Sequence, residues 1–315
     1  MSYRQLVEGQ RYQIQVYLSQ NLSKRTIARL MKVSPSTISR ELERNTVGDR
    51  YCPEQAQKQM RNRRRNAAKY RISATTELYV RSLIELDWSP EQTAGVLTML
   101  GSPVSHEWIY QYIANDKLSG GQLYKHLRQG RKRYRKGKHH NRMPIADARS
   151  IDLRPVEVEG RIRLGDWEAD TVLGKHGSGA IVTLAEHKSR LYLIRRVNSK
   201  SSEDVTEAII DMLSPHKEFV KTITFDNGGE FAQHKKIEDE LQAMTYFAHP
   251  YSSWERGLNE NFNGLLRQYV PKGSDLRLVT NDDLAIIEKK LNLRPRKCLG
   301  FKQPQKVYED LKAAA

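Results

Sequence analysis

The pattern of apolar and polar positions changes character partway along this chain. Residues 10–44 carry helical periodicity. From Arg11 to Leu18 the apolar positions are Tyr12, Val16 and Leu18. Ser23 is a helix cap, and the helix after it runs from about Lys24 to Met31 with Ile27, Leu30 and Met31 inward. Lys32-Val33-Ser34 forms a turn. Ser34 caps the next helix and Pro35 takes its first position. That helix turns Ile38 and Leu42 inward and Thr37, Ser39, Arg40 and Arg44 outward, with Ser36 in its first turn. A second copy of the pattern follows. Ser89 caps, Pro90 starts the helix and Gln92 completes a capping box, with Val96 and Leu97 inward. Gly101 to Val104 turns the chain, and Ser105 caps a helix carrying Trp108, Ile109, Tyr112 and Ile113.

From about Gly165 the spacing becomes alternating. Strands are predicted at Asp166 to Leu173, Ala180 to Ala185 and Leu191 to Val197. Ser202 caps a helix with Val205, Ala208, Ile209, Met212 and Leu213 inward. A fourth strand spans Lys221 to Phe225, a helix Phe231 to Leu241, a fifth strand Met244 to Phe247 and a last helix about Arg256 to Tyr269. That order predicts an α/β domain around a mixed five-stranded sheet, behind an all-α helix-turn-helix region. The expected divisions are a helix-turn-helix domain over 1–50, a second helical unit over 51–118, a basic linker over 119–155 and the α/β domain over 156–315.

Charge adds direction. The net charge of +16 comes from 53 Lys and Arg against 37 Asp and Glu. Residues 1–150 hold 28 basic and 12 acidic residues, and residues 151–315 hold 25 of each, so all the excess lies in the first half. A basic half joined to a neutral one suits a polyanion-binding module, with nucleic acid the polyanion. The outward face of the 35–45 helix suits a DNA major groove. Arg61, Arg63, Arg64 and Arg65 form one basic run. Residues 117–146 hold no acid, and Arg131, Lys132 and Arg133 open a block of six basic residues in eight. No long apolar run or lipidation signal is present, and Cys52 and Cys298 show no metal-ligand spacing. A cytoplasmic protein with reduced thiols is expected, without a membrane partner.

The candidate chemistry is carboxylate chemistry. Asp226 sits where the fourth strand runs into Asn227-Gly228-Gly229. Glu260 lies 34 positions later on the last helix, and Asp170 lies on the first strand. In a layout that sets the first and fourth strands side by side, two strand aspartates and one helix glutamate could hold two divalent ions for phosphodiester chemistry. Asp166 and Glu168 share the strand face of Asp170 and compete with it, and Glu230 competes with Asp226.

These residues carry a resemblance. The segments Gly165-Asp-Trp-Glu-Ala-Asp170, Thr224-Phe-Asp-Asn-Gly-Gly-Glu-Phe231, His249-Pro-Tyr-Ser-Ser-Trp-Glu-Arg-Gly257, Asn259-Glu-Asn-Phe-Asn-Gly264 and Arg294-Pro-Arg-Lys297 resemble bacterial insertion-sequence transposases of the IS-thirty family. So does Ser34-Pro-Ser-Thr-Ile-Ser-Arg-Glu-Leu42 in the first half. These belong to the wider DDE group with a retroviral-integrase, RNase H-like core. The resemblance implies Asp170, Asp226 and Glu260 as catalytic, metal-holding residues and favours Asp170 over Asp166. It implies Mg²⁺, two ions, with Mn²⁺ as a substitute. It implies double-stranded DNA as partner, both terminal inverted repeats and target, and a homodimer or higher homo-oligomer on that DNA. The expected DNA contacts are Ser36, Thr37, Ser39, Arg40, Arg44, Arg63, Arg64, Arg131, Lys132, Arg133, Arg256, Asn263 and Arg267. Many relatives carry His where this chain carries Asp166. The competing readings are a sequence-specific repressor with an inactive nuclease-like core, and a nuclease that hydrolyses without joining.

Overall fold

A computed structural model describes residues 6–48, 50–65, 72–128, 145–250 and 252–315, and for Arg65, Ser253 and Trp254 it describes the backbone alone. The expected contacts Arg131, Lys132 and Arg133 lie outside the described residues. Contacts divide the chain into two units, Met1–Ala74 and Thr75–Ala315.

In the first unit α1 (Glu8–Ser19), α2 (Lys24–Leu30) and α3 (Pro35–Asn45) precede a short antiparallel hairpin, β1 (Thr46–Val47) with β2 (Arg50–Tyr51), and α4 (Pro53–Arg65). Ser34 caps α3 as expected, its Oγ accepting from the Ser36 N–H at 3.3 Å, and Pro35 opens the helix. Ile14, Ile27, Ala28, Ile38 and Leu42 meet in the core. The rotation of α1 differs from expectation. Tyr12 and Val16 are 42% and 52% exposed, and Arg11 and Ile14 point inward instead. The cause is Arg11, whose guanidinium donates to Glu41 of α3 at 2.7 Å and to Gln57 of α4 at 2.6 Å. Burying that pair fixes positions 11, 14 and 18 as the inner stripe. Leu30, expected inward, is 49% exposed at the end of α2.

The second unit begins with α5 (Ala74–Glu85), α6 (Pro90–Met99) and α7 (His106–Leu118), closed around Val80, Ile84, Leu97, Ile109 and Ile113. The Ser89–Gln92 capping box and the Ser105 cap form as expected. Asp87 accepts from the Tyr269 hydroxyl at 3.0 Å, and Gln92 donates to the Pro295 carbonyl at 2.8 Å. These helices therefore belong to the same unit as the sheet.

After α8 (Val156–Gly160) come β3 (Asp166–Leu173), β4 (Ala180–Glu186), β5 (Tyr192–Val197), α9 (Ser202–Leu213), β6 (Thr222–Phe225), α10 (His234–Leu241), β7 (Met244–Phe247), α11 (Gly257–Leu266), α12 (Asn281–Leu293) and α13 (Pro304–Ala313). The sheet order is β5-β4-β3-β6-β7, antiparallel from β5 to β3 and parallel from β3 to β7. This is the mixed five-stranded sheet expected of an RNase H-like core. Trp167, Ala169, Phe225 and Phe231 face one hydrophobic layer with residues of α9 and α10. Val172, Ile181, Tyr192, Phe262 and Leu266 face the other, under α11 and α12. Two local expectations shift. Ser201, not Ser202, caps α9, accepting from the Asp204 N–H. The helix expected from Phe231 starts at His234, after a 3₁₀ turn over Gly229–Phe231.

Among the described residues no sixth strand pairs with the edge of β5. Side chains of α12 take that place: Asn292 accepts from Tyr192 N–H and donates to its carbonyl, and Glu288 accepts from Ile194 N–H at 2.7 Å. An edge strand so covered cannot pair with another chain.

Candidate active site

The parallel register of β3 and β6 keeps a constant offset: Asp166 faces Thr222 and Glu168 faces Thr224. Continued by two residues, it sets Asp170, midway along β3, against Asp226, just past the end of β6. Gly165 makes the start of this pairing possible. It holds φ +103°, its carbonyl accepts from Lys221 N–H at 2.8 Å, and a Cβ there would lie 1.7 Å from the Phe219 carbonyl oxygen.

The three acids on the β3 face have different surroundings. Asp166 is fully buried; Arg163 donates to both its oxygens and Thr222 Oγ1 donates at 2.7 Å. The charge added at this position is thus balanced where it sits. Glu168 is buried too. One oxygen accepts from Asn259 N–H in the first turn of α11 at 3.1 Å, and the other lies 2.9 Å from His187 Nε2. Asp170 alone opens toward Asp226. Its Oδ1 accepts from Thr171 N–H at 2.9 Å and its Oδ2 from Asn263 Nδ2 at 2.8 Å. Burial pushes the Asp170 carboxyl upward, nearby Arg256 opposes this, and the like charge of Asp226 adds to it. Asp226 Oδ1 accepts from Gly228 N–H at 2.9 Å, so the aspartate that forms the turn is also the one that faces Asp170.

Arg256 lies between the pair. Its guanidinium is 3.8 Å from Asp170 Oδ1 and 3.6 Å from Asp226 Oδ2, and it donates to the Ala169 carbonyl at 2.9 Å. Asn263 is held by its neighbours as well, accepting from Tyr192 Oη at 2.9 Å and from Thr183 Oγ1 at 3.2 Å. Burial pushes the Tyr192 hydroxyl far above the ordinary phenol range. Glu260 is exposed on α11, one turn from both Arg256 and Asn263. Among the described residues no three His, Cys, Asp or Glu side chains converge as a ready metal cluster. Asp170 and Asp226 thus share Arg256 as a neighbour, and Glu260 lies exposed on the helix that begins after Arg256.

Other expected contacts are placed as follows. Arg267 donates to the carbonyls of Leu173, Val270 and Pro271, tying the end of α11 to the end of β3. Ser36, Arg40 and Arg44 are exposed on α3, and Thr37 and Ser39 are half-buried. Arg63 donates to the Arg44 carbonyl at 3.0 Å and to Asn45 Oδ1, closing the end of α3, while Arg64 is exposed. Two further residues stand beside the acids: Glu230, the competitor of Asp226 in the sequence, and His187, which the sequence reading did not single out. Glu230 accepts from Thr171 Oγ1 at 3.0 Å and pairs with Lys200 at 2.7 Å on the far side of Asp170. His187 could have been found from strand pairing, since its N–H donates to the Asp166 carbonyl just past β4.

The carboxylates suit a hard divalent cation. They are oxygen donors with a half-buried, like-charged geometry that already draws a cation between them. No helix among the described residues is long and apolar enough to cross a membrane.

Comparison with known proteins adds three findings. Residues 2–45 match a family model described as a helix-turn-helix domain. The chain is 40% identical to a transposase for insertion sequence element IS4351 from Bacteroides fragilis, over 98% of this chain and 96% of that protein. It is 36% identical to transposase InsI for insertion sequence element IS30C from Escherichia coli K12, over 96% of this chain and 83% of that protein. A crystal structure of the BIV integrase catalytic core domain overlays 47% of this chain and 96% of that one, at 18% identity and a TM-score of 0.37.

Proposed function

Since the chain belongs to the IS30 family of insertion-sequence transposases, we propose that it cleaves DNA at the ends of such an element and joins the freed 3′-hydroxyl to target DNA. The observation that carries this reading is that Asp170, midway along β3, and Asp226, just past β6, lie 3.8 and 3.6 Å from the Arg256 guanidinium, with Glu260 on the helix that follows Arg256. Asp170, Asp226 and Glu260 would hold two Mg²⁺ ions, or Mn²⁺ in their place. When bound, the ions supply Lewis-acid activation of the attacking oxygen and charge neutralisation at the leaving oxygen.

The chain's own groups do the rest. Asn263 donates to Asp170 Oδ2 and so fixes which oxygen of Asp170 stays available. Tyr192 and Thr183 hold Asn263 in turn, which makes Tyr192 a support and not a nucleophile. Each chemical step exchanges one P–O bond for another, with the departing oxygen keeping its electron pair and taking a proton. No covalent protein–DNA bond is needed. The outer face of α3, with exposed Ser36, Arg40 and Arg44 and half-buried Thr37 and Ser39, reads the terminal repeats in the major groove. Arg63 supports that helix from its C-terminal end, and Arg64 and the block at Arg131, Lys132 and Arg133 supply sequence-independent phosphate contacts. Two ends cut together call for a homodimer or higher assembly on the DNA.

The test is strand cleavage of a duplex carrying the gene's own flanking sequences, with Mg²⁺ or Ca²⁺, for the wild type and Glu260→Gln. Release of a 3′-hydroxyl at a fixed position in Mg²⁺, lost in the variant while end binding persists, is the expected result. Specific binding without cleavage in any metal would instead indicate a repressor.

A further inference from the structure

Arg256 has two features that the proposed chemistry does not use. It is 11% exposed, so its charge is largely withdrawn from solvent, and it faces two acids without forming a close pair with either. The separations of 3.8 and 3.6 Å are long for a charge-assisted hydrogen bond, which runs at about 2.7–2.9 Å. Its one short bond, 2.9 Å, goes to the neutral Ala169 carbonyl. The guanidinium is therefore held beside the acids by backbone and attracted by both charges, but locked to neither.

The backbone beneath it is a helix start. Arg256 ends a 3₁₀ turn over Ser253–Arg256 and stands at the N-cap of α11 with φ −126° and ψ 42°, outside helical geometry. Its side chain does not cap the helix. The loop leading in is fastened by His249, whose ring nitrogens lie 2.8 Å from Glu255 Oε1 and 2.9 Å from Asp152 Oδ2. Those contacts are exposed. Four residues beyond Arg256, one helical turn on, stands Glu260.

From this geometry we infer that Arg256 is an internal counter-ion for the Asp170–Asp226 pair, and that a divalent cation binds in exchange for it. The inference rests on the function proposed above. In the metal-free chain the guanidinium screens two carboxylates that would otherwise repel each other at half-buried positions. On cation binding it leaves, and Glu260 turns in from the same helix as the third oxygen donor. One positive charge departs as a divalent one enters, and one carboxylate joins. For the first cation the net charge of the site is the same on both sides of that swap, −1 from two carboxylates and a guanidinium and −1 from three carboxylates and a divalent ion, so the exchange adds no buried charge. Arg256 so released is free to pair with a phosphate of the bound strand.

The experiment measures Mn²⁺ affinity of the full chain by electron paramagnetic resonance, for the wild type, Arg256→Gln, Arg256→Lys and Glu260→Gln. Thermal unfolding in chelator accompanies it. Glutamine keeps a donor for the Ala169 carbonyl and removes the charge. Arg256→Gln is expected to bind Mn²⁺ about tenfold more tightly, within the range of ordinary site-to-site coupling. It should also unfold at a lower temperature in chelator and recover with Mn²⁺. Arg256→Lys stays near the wild type and Glu260→Gln binds more weakly. An unchanged or weaker Mn²⁺ affinity in a folded Arg256→Gln overturns the exchange. If that variant does not fold, the wild type decides through its Arg256 Nε–Hε resonance, assigned by its loss in Arg256→Lys. Mg²⁺ is expected to move that signal to a solvent-exchanging position, and a signal indifferent to saturating Mg²⁺ overturns the exchange. A wild type that binds Mn²⁺ and cleaves, with Arg256→Gln no tighter, removes only this inference. A wild type that neither binds Mn²⁺ nor cleaves removes the proposed function itself.

Discussion

The two ends of one strand face show how the same residue type takes opposite roles. At the closed end of β3, Asp166 and Glu168 are buried; Arg163 and Thr222 donate to Asp166, Asn259 N–H donates to Glu168, and His187 lies beside it. At the open end, Asp170 and Asp226 face each other across a loosely held guanidinium. A carboxylate buried against its own fixed partners, away from any like charge, stabilises the fold. Two carboxylates that face each other cost stability through their like charge and can be used for chemistry. The closed end should therefore report on stability, and the open end on activity.

The largest effect should come from the open end. Asp226→Asn is expected to lower strand cleavage by about a thousandfold or more, about 4 kcal/mol of barrier. Because it removes one of two facing charges, its thermal midpoint in chelator should equal or exceed that of the wild type. A cleavage defect matched by a large fall in that midpoint would break the distinction. At the closed end Gly165→Ala should do the reverse and cost more than about 4 kcal/mol, since neither the +103° φ nor the 1.7 Å approach to the Phe219 carbonyl admits a side chain. Urea titration of the full chain checks this, and a midpoint near that of the wild type would remove Gly165 as the hinge of the β3–β6 pairing.

Much of this contrast was legible in the sequence, and the reasons are local. Alternation over Asp166 to Leu173 put all three acids on one face, and the turn chemistry after Phe225 put Asp226 at a strand end. The caps at Ser34, Ser89 and Ser105 were readable because a cap needs only its own next three residues. What stayed hidden depended on distant partners. Arg11 turned α1 because Glu41 lies 30 positions away, and Gln92 reaches a carbonyl 203 positions on. Periodicity alone selects Tyr12 and Val16 there, because it scores an arginine as outward. Arg256 was legible as a DNA contact ahead of the last helix, but not as a cation beside both acids. Its position follows from the loop clasped by His249, which no repeat or spacing records.

A smaller effect tests how far the closed end supports the open one. Glu168→Gln weakens the contact to His187 and the grip on the Asn259 N–H, and is expected to cost about 2 kcal/mol of stability. Cleavage should fall less than about tenfold at temperatures where the variant is folded. A loss comparable to that of Asp226→Asn, with stability unchanged, would make Glu168 a member of the reactive pair and not its support.

Glu288 gives the finest version of the same comparison, an acid with a single backbone partner. It accepts from Ile194 N–H at the edge of β5, and burial pushes its carboxyl up to about 7. The folded value lies above the ordinary 4.5, so folding favours the protonated form. Its contribution to stability is full at and below about pH 4.5, falls as pH rises toward 7, and is flat above that. Glutamine keeps the accepting oxygen and does not titrate. Glu288→Gln should therefore match the wild type near pH 4.5 and be more stable at pH 8 by about 1–2 kcal/mol, a figure reduced for the partial exposure of the side chain. Unfolding midpoints of both proteins across that range give the answer. Parallel curves would mean that Glu288 is as well matched as Asp166, and that one hydrogen bond from a strand edge is enough to saturate a half-buried carboxylate.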